Sequence, residues 1–302
     1  MDGSLKVVRL ASALGAEVRG VSLGEPDPAL IEKIKALLTE HQVLFFPEQH
    51  LSVAEHVAFG ANFGRLEGHP NLSNPFSSEH PEIFELAASS GGVADEWHSD
   101  ITFQQEPSIM AILQMVKCPE LGGDTMWSSM YLAYEELSAP LRDLCEGLSA
   151  LHDALPHGKP ESMTVHPVVR VHPQTGRKSL FVNEHFTRRI VELSAQESDV
   201  LLGYLTRWAS NPRFTVRYRW SKGTIAMWDN RCTQHFVLND FDEERVIQRV
   251  TVMGDQPEGP SPRWEPYLRD RNAGATSRFD RQLNRYLGRA AKTLESNRKR
   301  DD

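Results

Sequence analysis

His98 and Asp100 stand two apart in the run Trp97-His98-Ser99-Asp100-Ile101-Thr102-Phe103 of this 302-residue chain. The run reads as a β-strand, and side chains two apart on a strand share a face. One imidazole and one carboxylate then point the same way, at a spread that suits gripping one metal ion. A further histidine lies far downstream, in Trp228-Asp229-Asn230-Arg231-Cys232-Thr233-Gln234-His235. Two His and one carboxylate, with coordination positions left open, form the ligand set of non-haem Fe(II) oxygenases. The pair alone says little. With 12 His and 41 Asp+Glu in the chain, chance supplies such pairs, and His80/Glu82 is another. The bland alternative is a histidine hydrogen-bonded to a neighbouring acid in a partly buried strand.

Two arginines follow the distant histidine. Arg245-Val246-Ile247-Gln248-Arg249-Val250-Thr251-Val252-Met253 reads as a strand. Arg245 and Arg249 therefore face one side, with backbones roughly 13 Å apart at about 3.3 Å per residue. Buried arginines require anionic partners. Two anions, one near each guanidinium, satisfy them, and carboxylate or sulfonate suits the paired hydrogen bonds. The alternative partners are protein carboxylates such as Asp242, Glu243 or Glu244.

Elements that position these groups are legible around them. Pro28 to His41 has helical apolar spacing. Val43-Leu44-Phe45-Phe46, ended by Pro47, suits a buried strand. Ser52-Val53-Ala54-Glu55 and Ser194-Ala195-Gln196-Glu197 match capping boxes, opening helices to about Phe63 and about Ala209. A helical zone is expected from about Ser129 to Leu151. Residues 64 to 96 read as a long loop. Phe214 to Trp220, Thr224 to Trp228 and Arg245 to Met253 alternate as strands. Antiparallel Greek-key or jelly-roll sheets bring such distant segments together. The expected fold is mainly β with flanking helices: a double-stranded β-helix (jelly roll) over residues 1–258. A basic C-terminal extension follows over 259–302, partly helical around Phe279 to Leu294.

Composition bounds the rest. Hydrophobic content of 40% and charged content of 25% fit a soluble globular protein. No apolar run approaches the roughly 20 residues of a membrane helix, and the first residues carry no signal-peptide pattern, so a cytoplasmic location is expected. Cys118, Cys145 and Cys232 form neither a disulfide framework nor a Cys-x-x-Cys site. A net charge of −8 argues against nucleic-acid binding. The acidity is uneven: from Arg263 onward there are 11 Lys and Arg against 6 Asp and Glu.

Together these segments resemble the Fe(II)/2-oxoglutarate-dependent dioxygenases of the taurine dioxygenase and 2,4-dichlorophenoxyacetate dioxygenase family, with the taurine dioxygenase branch the nearer. Beyond Trp97 to Phe103, the resemblance rests on Gly122-Gly123-Asp124-Thr125-Met126-Trp127, Phe181-Val182-Asn183-Glu184-His185-Phe186 and Ile225 to Asp255. It implies iron ligation by His98, Asp100 and His235, and 2-oxoglutarate contacts from Thr125 and Arg245. It implies substrate contacts from Arg249, His69 and Phe186. The implied reaction consumes 2-oxoglutarate and O2, giving succinate and CO2. It hydroxylates the carbon beside the acid group of a small sulfonate such as taurine, releasing sulfite and an aldehyde. An alkyl sulfate ester or an aryloxyalkanoate is the alternative substrate. A homo-oligomer is implied as well. Two positions depart from the pattern: Leu72 replaces an expected tyrosine and Ala94 an expected asparagine, which favours a longer or more apolar substrate than taurine. From the ligand types alone, a zinc-type hydrolase and a non-enzymatic binding module also stay open.

Overall fold

Val43-Leu44-Phe45-Phe46 forms a central strand because both of its faces are covered. Val43 and Phe45 point into one apolar cluster, Leu44 and Phe46 into another. A strand buried on both sides reads as a continuous apolar run. Ser108–Lys117 and Ile225–Asp229 divide in the same way, with Ile112 and Met227 on the outer side and Leu113 and Trp228 on the inner.

The structure is a computed structural model that describes residues 5–68, 79–90 and 93–267. Its larger sheet runs Lys6–Arg9, Ala16–Arg19, Val43–Phe46, Ile225–Asp229, Ser108–Lys117, Val246–Met253. Leu66–Glu67 and Phe84–Ala87 both add to the outer edge of Val246–Met253. A smaller sheet runs Thr215–Tyr218, Thr125–Ser129, Thr233–Val237. The two sheets close over one apolar interior. Phe45 stacks on Tyr218 with ring centroids 3.8 Å apart, and Trp127 meets Trp228 edge-on at 5.7 Å. This is the expected double-stranded β-helix. In Val246–Met253, Ile247 belongs to the inner cluster while Val250 and Val252 belong to the outer. The odd-numbered positions therefore face inward, and Arg249 shares that parity.

Helices cover the outside. Pro28–His41 buries Ile31, Ile34, Leu38 and His41 on one stripe. Asp27 caps it, accepting from the Leu30 N–H at 2.7 Å. Val53–Ala61 and Ala195–Ala209 start at the two expected capping boxes. Among the described residues no helix is long and apolar enough to cross a membrane.

Three expectations change. The helical zone from Ser129 to Leu151 is two short helices, Met130–Glu135 and Ala139–Glu146, followed by the strand Ser149–Ala154. Pro140 suits a new helical first turn. Gly147 ends that helix, and the strand beyond it is wholly buried. The long loop at 64 to 96 contains the strands Leu66–Glu67 and Phe84–Ala87, which find ladder partners on Val246–Met253. The strand expected over Trp97 to Phe103 shrinks to one bridge, His98 to His235. Ile101 adopts φ of 46°, and a left-handed β-branched residue cannot continue a strand.

Beyond residue 258, the chain lies along the body as far as the description extends. The Arg263 N–H donates to the Gly147 carbonyl at 3.0 Å and the Tyr267 N–H to that of Val191 at 2.9 Å. The helix expected around Phe279 to Leu294 lies outside the described residues.

Candidate active site

His235 sits in the strand Thr233–Val237, and His98 pairs with it across the open edge of the smaller sheet. The His235 N–H donates to the His98 carbonyl at 2.8 Å, and the His98 N–H returns the bond at 3.1 Å. Antiparallel pairing brings the two imidazoles side by side, tilted by 50° with ring centroids 4.0 Å apart. Asp100, just before the left-handed turn at Ile101 and held by Asn230, reaches the same two rings. Oδ1 of Asp100 lies 3.9 Å from Nε2 of His98 and 4.0 Å from Nε2 of His235. One ligand atom from each of the three residues falls within 4.8 Å of the others, and all three residues are buried.

The donor set fits a divalent cation. Nδ1–H of His98 donates to the Glu96 carbonyl at 2.7 Å, which leaves the Nε2 lone pair directed at the cluster. Burial lowers the His98 pKa to about 4 and pushes that of His235 well down, against the raising effect of Asp100. Both imidazoles are therefore neutral, the form that binds metal. Burial pushes the Asp100 carboxyl upward, but the Arg249 guanidinium, with a hydrogen bond from Asn230, opposes it and holds the group ionised.

Arg249 donates from Nη1 to Oδ1 of Asp100 at 2.7 Å. Its anion in this structure is thus a protein carboxylate, though Asp100 rather than Asp242, Glu243 or Glu244. Arg245 differs. It is buried, and among the described residues no carboxylate lies within ion-pair distance. Nε donates to the Gly123 carbonyl at 3.1 Å, and Nη2 lies 3.5 Å from Oγ1 of Thr125. Burial lowers its pKa to about 10, partly offset by Cys118 and Asp124. A buried guanidinium without a counter-charge leaves a place for an external anion. The Gly122-Gly123 turn builds this corner. At Gly122, with φ of 79°, a Cβ would stand 2.3 Å from the Asp240 carbonyl oxygen, so only glycine fits. Trp220 Nε1–H donates to Oγ1 of Thr125 at 2.9 Å and fixes the hydroxyl.

Outside the three-residue cluster a cavity of about 350 Å³ opens, with apolar walls from Phe84, Leu86, Val93, Ala94 and Phe186 and with Arg249 at its base. Phe186 is both wall and core, since its ring also meets Phe103 at 5.2 Å. His69 and Leu72 lie outside the described residues. The same cavity exposes Asp95, Glu96, His157 and His185, for which residue types and spacing suggest no role. Glu96 accepts from Nδ1 of His185 at 2.6 Å, and Asp95 accepts from Nδ2 of Asn239 at 3.1 Å. His157 and His185 carry no spacing signal, because the fold brings them in from a short 3-10 helix, Leu155–His157, and a separate turn.

A second cluster, His172, Asp229 and Cys232, also has ligand atoms within 4.8 Å. It is saturated without a metal. Arg231 donates from Nε to Oδ1 of Asp229 at 2.9 Å and from Nη2 to Oδ2 at 2.6 Å. Nε2–H of His172 reaches Oδ2 at 3.0 Å, while its Nδ1 faces the backbone N–H groups of Gln174 and Thr175. The adjacent guanidinium already supplies the positive charge.

Comparison with known proteins follows the same lines. The profile of the taurine catabolism dioxygenase TauD, TfdA family matches residues 6–251. An alkylsulfatase of Acinetobacter baylyi is 37% identical over 278 residues, 84% of this chain and 87% of its own length. An alpha-ketoglutarate-dependent sulfate ester dioxygenase of Pseudomonas putida is also 37% identical, over 84% of this chain and 91% of its own. The crystal structure of a taurine dioxygenase from Burkholderia xenovorans superposes with a TM-score of 0.79 at 38% identity, covering 93% of this chain and 98% of that one.

Proposed function

The chain belongs to the taurine catabolism dioxygenase TauD, TfdA family, and we propose that His98, Asp100 and His235 hold Fe(II) in a 2-oxoglutarate-dependent dioxygenase acting on small sulfate esters and sulfonates. One observation carries the reading: two neutral imidazoles and one ionised carboxylate converge within 4.8 Å beside the half-buried guanidinium of Arg249 and the buried one of Arg245. Bound there, Fe(II) would supply the redox chemistry that couples oxidative decarboxylation of 2-oxoglutarate to hydroxylation of a C–H bond by O2.

The residues of the chain divide the remaining work. Arg245, with Thr125 beside it, binds the distal carboxylate of 2-oxoglutarate in the corner that lacks a protein counter-charge. Arg249 takes the sulfur-bearing anion of the substrate and thereby sets which carbon faces the metal. Phe186 and the apolar wall hold the substrate chain and exclude water. Hydroxylation of the carbon next to a sulfate oxygen or a sulfonate makes an unstable adduct, which collapses to an aldehyde plus sulfate or sulfite.

An alkyl sulfate or a longer alkanesulfonate suits this cavity better than taurine. The wall of Phe84, Leu86, Val93, Ala94 and Phe186 suits an alkyl chain, and Ala94 offers the ammonium of taurine no acceptor. The two sulfate-ester-acting relatives point the same way. A panel of hexyl sulfate, hexanesulfonate, taurine and 2,4-dichlorophenoxyacetate, scored by 2-oxoglutarate-dependent succinate release, tests the reading. We expect kcat/KM at least 10-fold higher for hexyl sulfate or hexanesulfonate than for taurine. Preference for the aryloxy acid would overturn it. The alpha-ketoglutarate-dependent relative of Pseudomonas putida supports the same co-substrate demand rather than zinc hydrolysis. Assembly into a homo-oligomer belongs to the same proposal, as does treating 259–302 as an extension separate from the dioxygenase domain.

A further inference from the structure

We infer that Asn230 is a positioning residue that sets which oxygen of Asp100 faces the metal. The inference rests on the assignment of His98, Asp100 and His235 as the metal ligands. Asn230 lies 130 positions from Asp100 in the chain, on the turn just beyond the strand Ile225–Asp229. It touches none of the reacting groups. It acts only through the carboxylate.

All the hydrogen-bonding capacity of its amide is engaged. Nδ2 donates to Oδ2 of Asp100 at 3.2 Å and to Oγ of Ser108 at 3.0 Å. Oδ1 accepts from the Asp100 backbone N–H at 3.3 Å and from Nε1–H of Trp228 at 3.0 Å. Both partners of Oδ1 are N–H donors with nothing to accept, so the amide fits in one orientation only. Asn230 is buried, as are Trp228, Ser108 and Asp100. A single side chain thus grips the ligand residue twice, once at its backbone and once at its carboxylate.

The consequence is geometric. Oδ2 is tied back to Asn230, and Oδ1 is the atom left 3.9 and 4.0 Å from the two imidazole nitrogens. A carboxylate held by one oxygen binds a metal through the other, which keeps coordination positions open for two co-substrates. Without the amide, Oδ2 loses its restraint and only the Arg249 contact at Oδ1 holds the carboxylate, which can then turn to chelate through both oxygens, filling one of those positions. The turn that carries Asn230 is itself braced. Arg231 binds Asp229 through two nitrogens, and His172 binds the same carboxylate from the other side. The saturated cluster behind the site therefore has a role: it fixes the turn from which Asn230 reaches forward.

Co(II) substitution provides the test, because its visible spectrum reports coordination number independently of turnover. Full-length wild-type, Asn230→Ala and Asn230→Ser proteins would be titrated with Co(II), affinity measured by calorimetry and spectra recorded at saturation. The wild type is expected to bind one Co(II). Both variants should bind it 10- to 100-fold more weakly, the range found when a partner of a ligand is removed, with an altered d–d spectrum. Asn230→Ser covers the case in which Asn230→Ala fails to fold, since serine keeps a polar group at the turn but cannot bridge both sites. Wild-type affinity and an unchanged spectrum in either folded variant overturn the role of Asn230 while leaving the metal site standing. Failure of the wild type to bind, or binding unaffected by His235→Ala, overturns the ligand assignment and this inference with it.

Discussion

Nη1 of Arg249 lies 2.7 Å from Oδ1 of Asp100, the carboxylate oxygen that faces both imidazoles. The residue proposed to hold the substrate anion is thus already paired to the proposed metal ligand. The contact keeps Asp100 ionised without metal and aims a guanidinium at the cavity. It also ties substrate recognition and metal binding to one buried ion pair.

Arg249→Met separates these roles. The sulfur-bearing anion loses paired charge-assisted hydrogen bonds worth roughly 1.5–3 kcal/mol each, so substrate KM should rise at least 10-fold, while 2-oxoglutarate affinity changes less than 3-fold. Asp100 is left buried without its partner, a change that destabilises by about 3–5 kcal/mol. Metal bound at Asp100 replaces the lost cation, so Co(II) should raise Tm more in the variant than in the wild type. Equal loss of both small-molecule affinities would contradict the division of labour.

Arg245→Met should behave in the opposite way in stability. This guanidinium has no carboxylate partner among the described residues, and burial already lowers its pKa to about 10. Replacing an unpaired buried charge with an apolar chain relieves desolvation, so the Tm of the metal-free, ligand-free protein should stay level or rise. Affinity for 2-oxoglutarate, followed by calorimetry, should fall at least 10-fold. A variant that folds and binds 2-oxoglutarate as the wild type does rules out the assignment.

Gly122→Ala tests the turn beneath Thr125. The new Cβ would meet the Asp240 carbonyl at 2.3 Å, on a backbone with φ of 79°. Left-handed strain of this kind is worth about 1–3 kcal/mol, and the clash adds to it. Urea unfolding should show lower stability, and 2-oxoglutarate KM should rise because Thr125 and the Gly123 carbonyl shift. Wild-type values for both would show that the turn is not rigid.

His56 gives a pH signature remote from the site. It is buried in the core, Nε2 meets the Ile112 carbonyl at 3.0 Å, and Nδ1 has no hydrogen-bond partner among the described residues. Burial lowers its pKa from 6.5 to about 4, against the raising effect of the carbonyl. The unfolded chain therefore binds more protons between those values, and stability is lost as pH falls from about 6.5 toward 4. The loss from this one group is roughly 3 kcal/mol at 1.36 kcal/mol per pH unit. Urea unfolding at pH 7 and pH 4.5 should show a smaller drop for His56→Gln than for the wild type. Identical drops would remove His56 as a cause.

Much of this architecture is legible in the chain. Capping boxes at Ser52 and Ser194 and the stripe Ile31, Ile34, Leu38 announce three helices, and strand parity puts Arg249 on the inward side of Val246–Met253. The pairing of His98 and Asp100 is legible too, but for a partly wrong reason. Their common direction comes from one bridge at His98 and the grip of Asn230 on Asp100 rather than from a continuous strand, which ends at the left-handed turn of Ile101. Local propensity disfavours that turn, and contacts from distant Asn230 hold it. Asn230, His157 and His185 were hidden for the same reason. Their partners are brought by topology, which residue spacing does not encode.

The most direct test follows products against co-substrates with the metal-reconstituted protein and hexyl sulfate. With Fe(II), 2-oxoglutarate and O2 all present, succinate and inorganic sulfate should accumulate in equal amounts, and omitting any one of the three should stop both. Sulfate released without 2-oxoglutarate, or under strict exclusion of O2, would mark a hydrolytic enzyme and contradict the account.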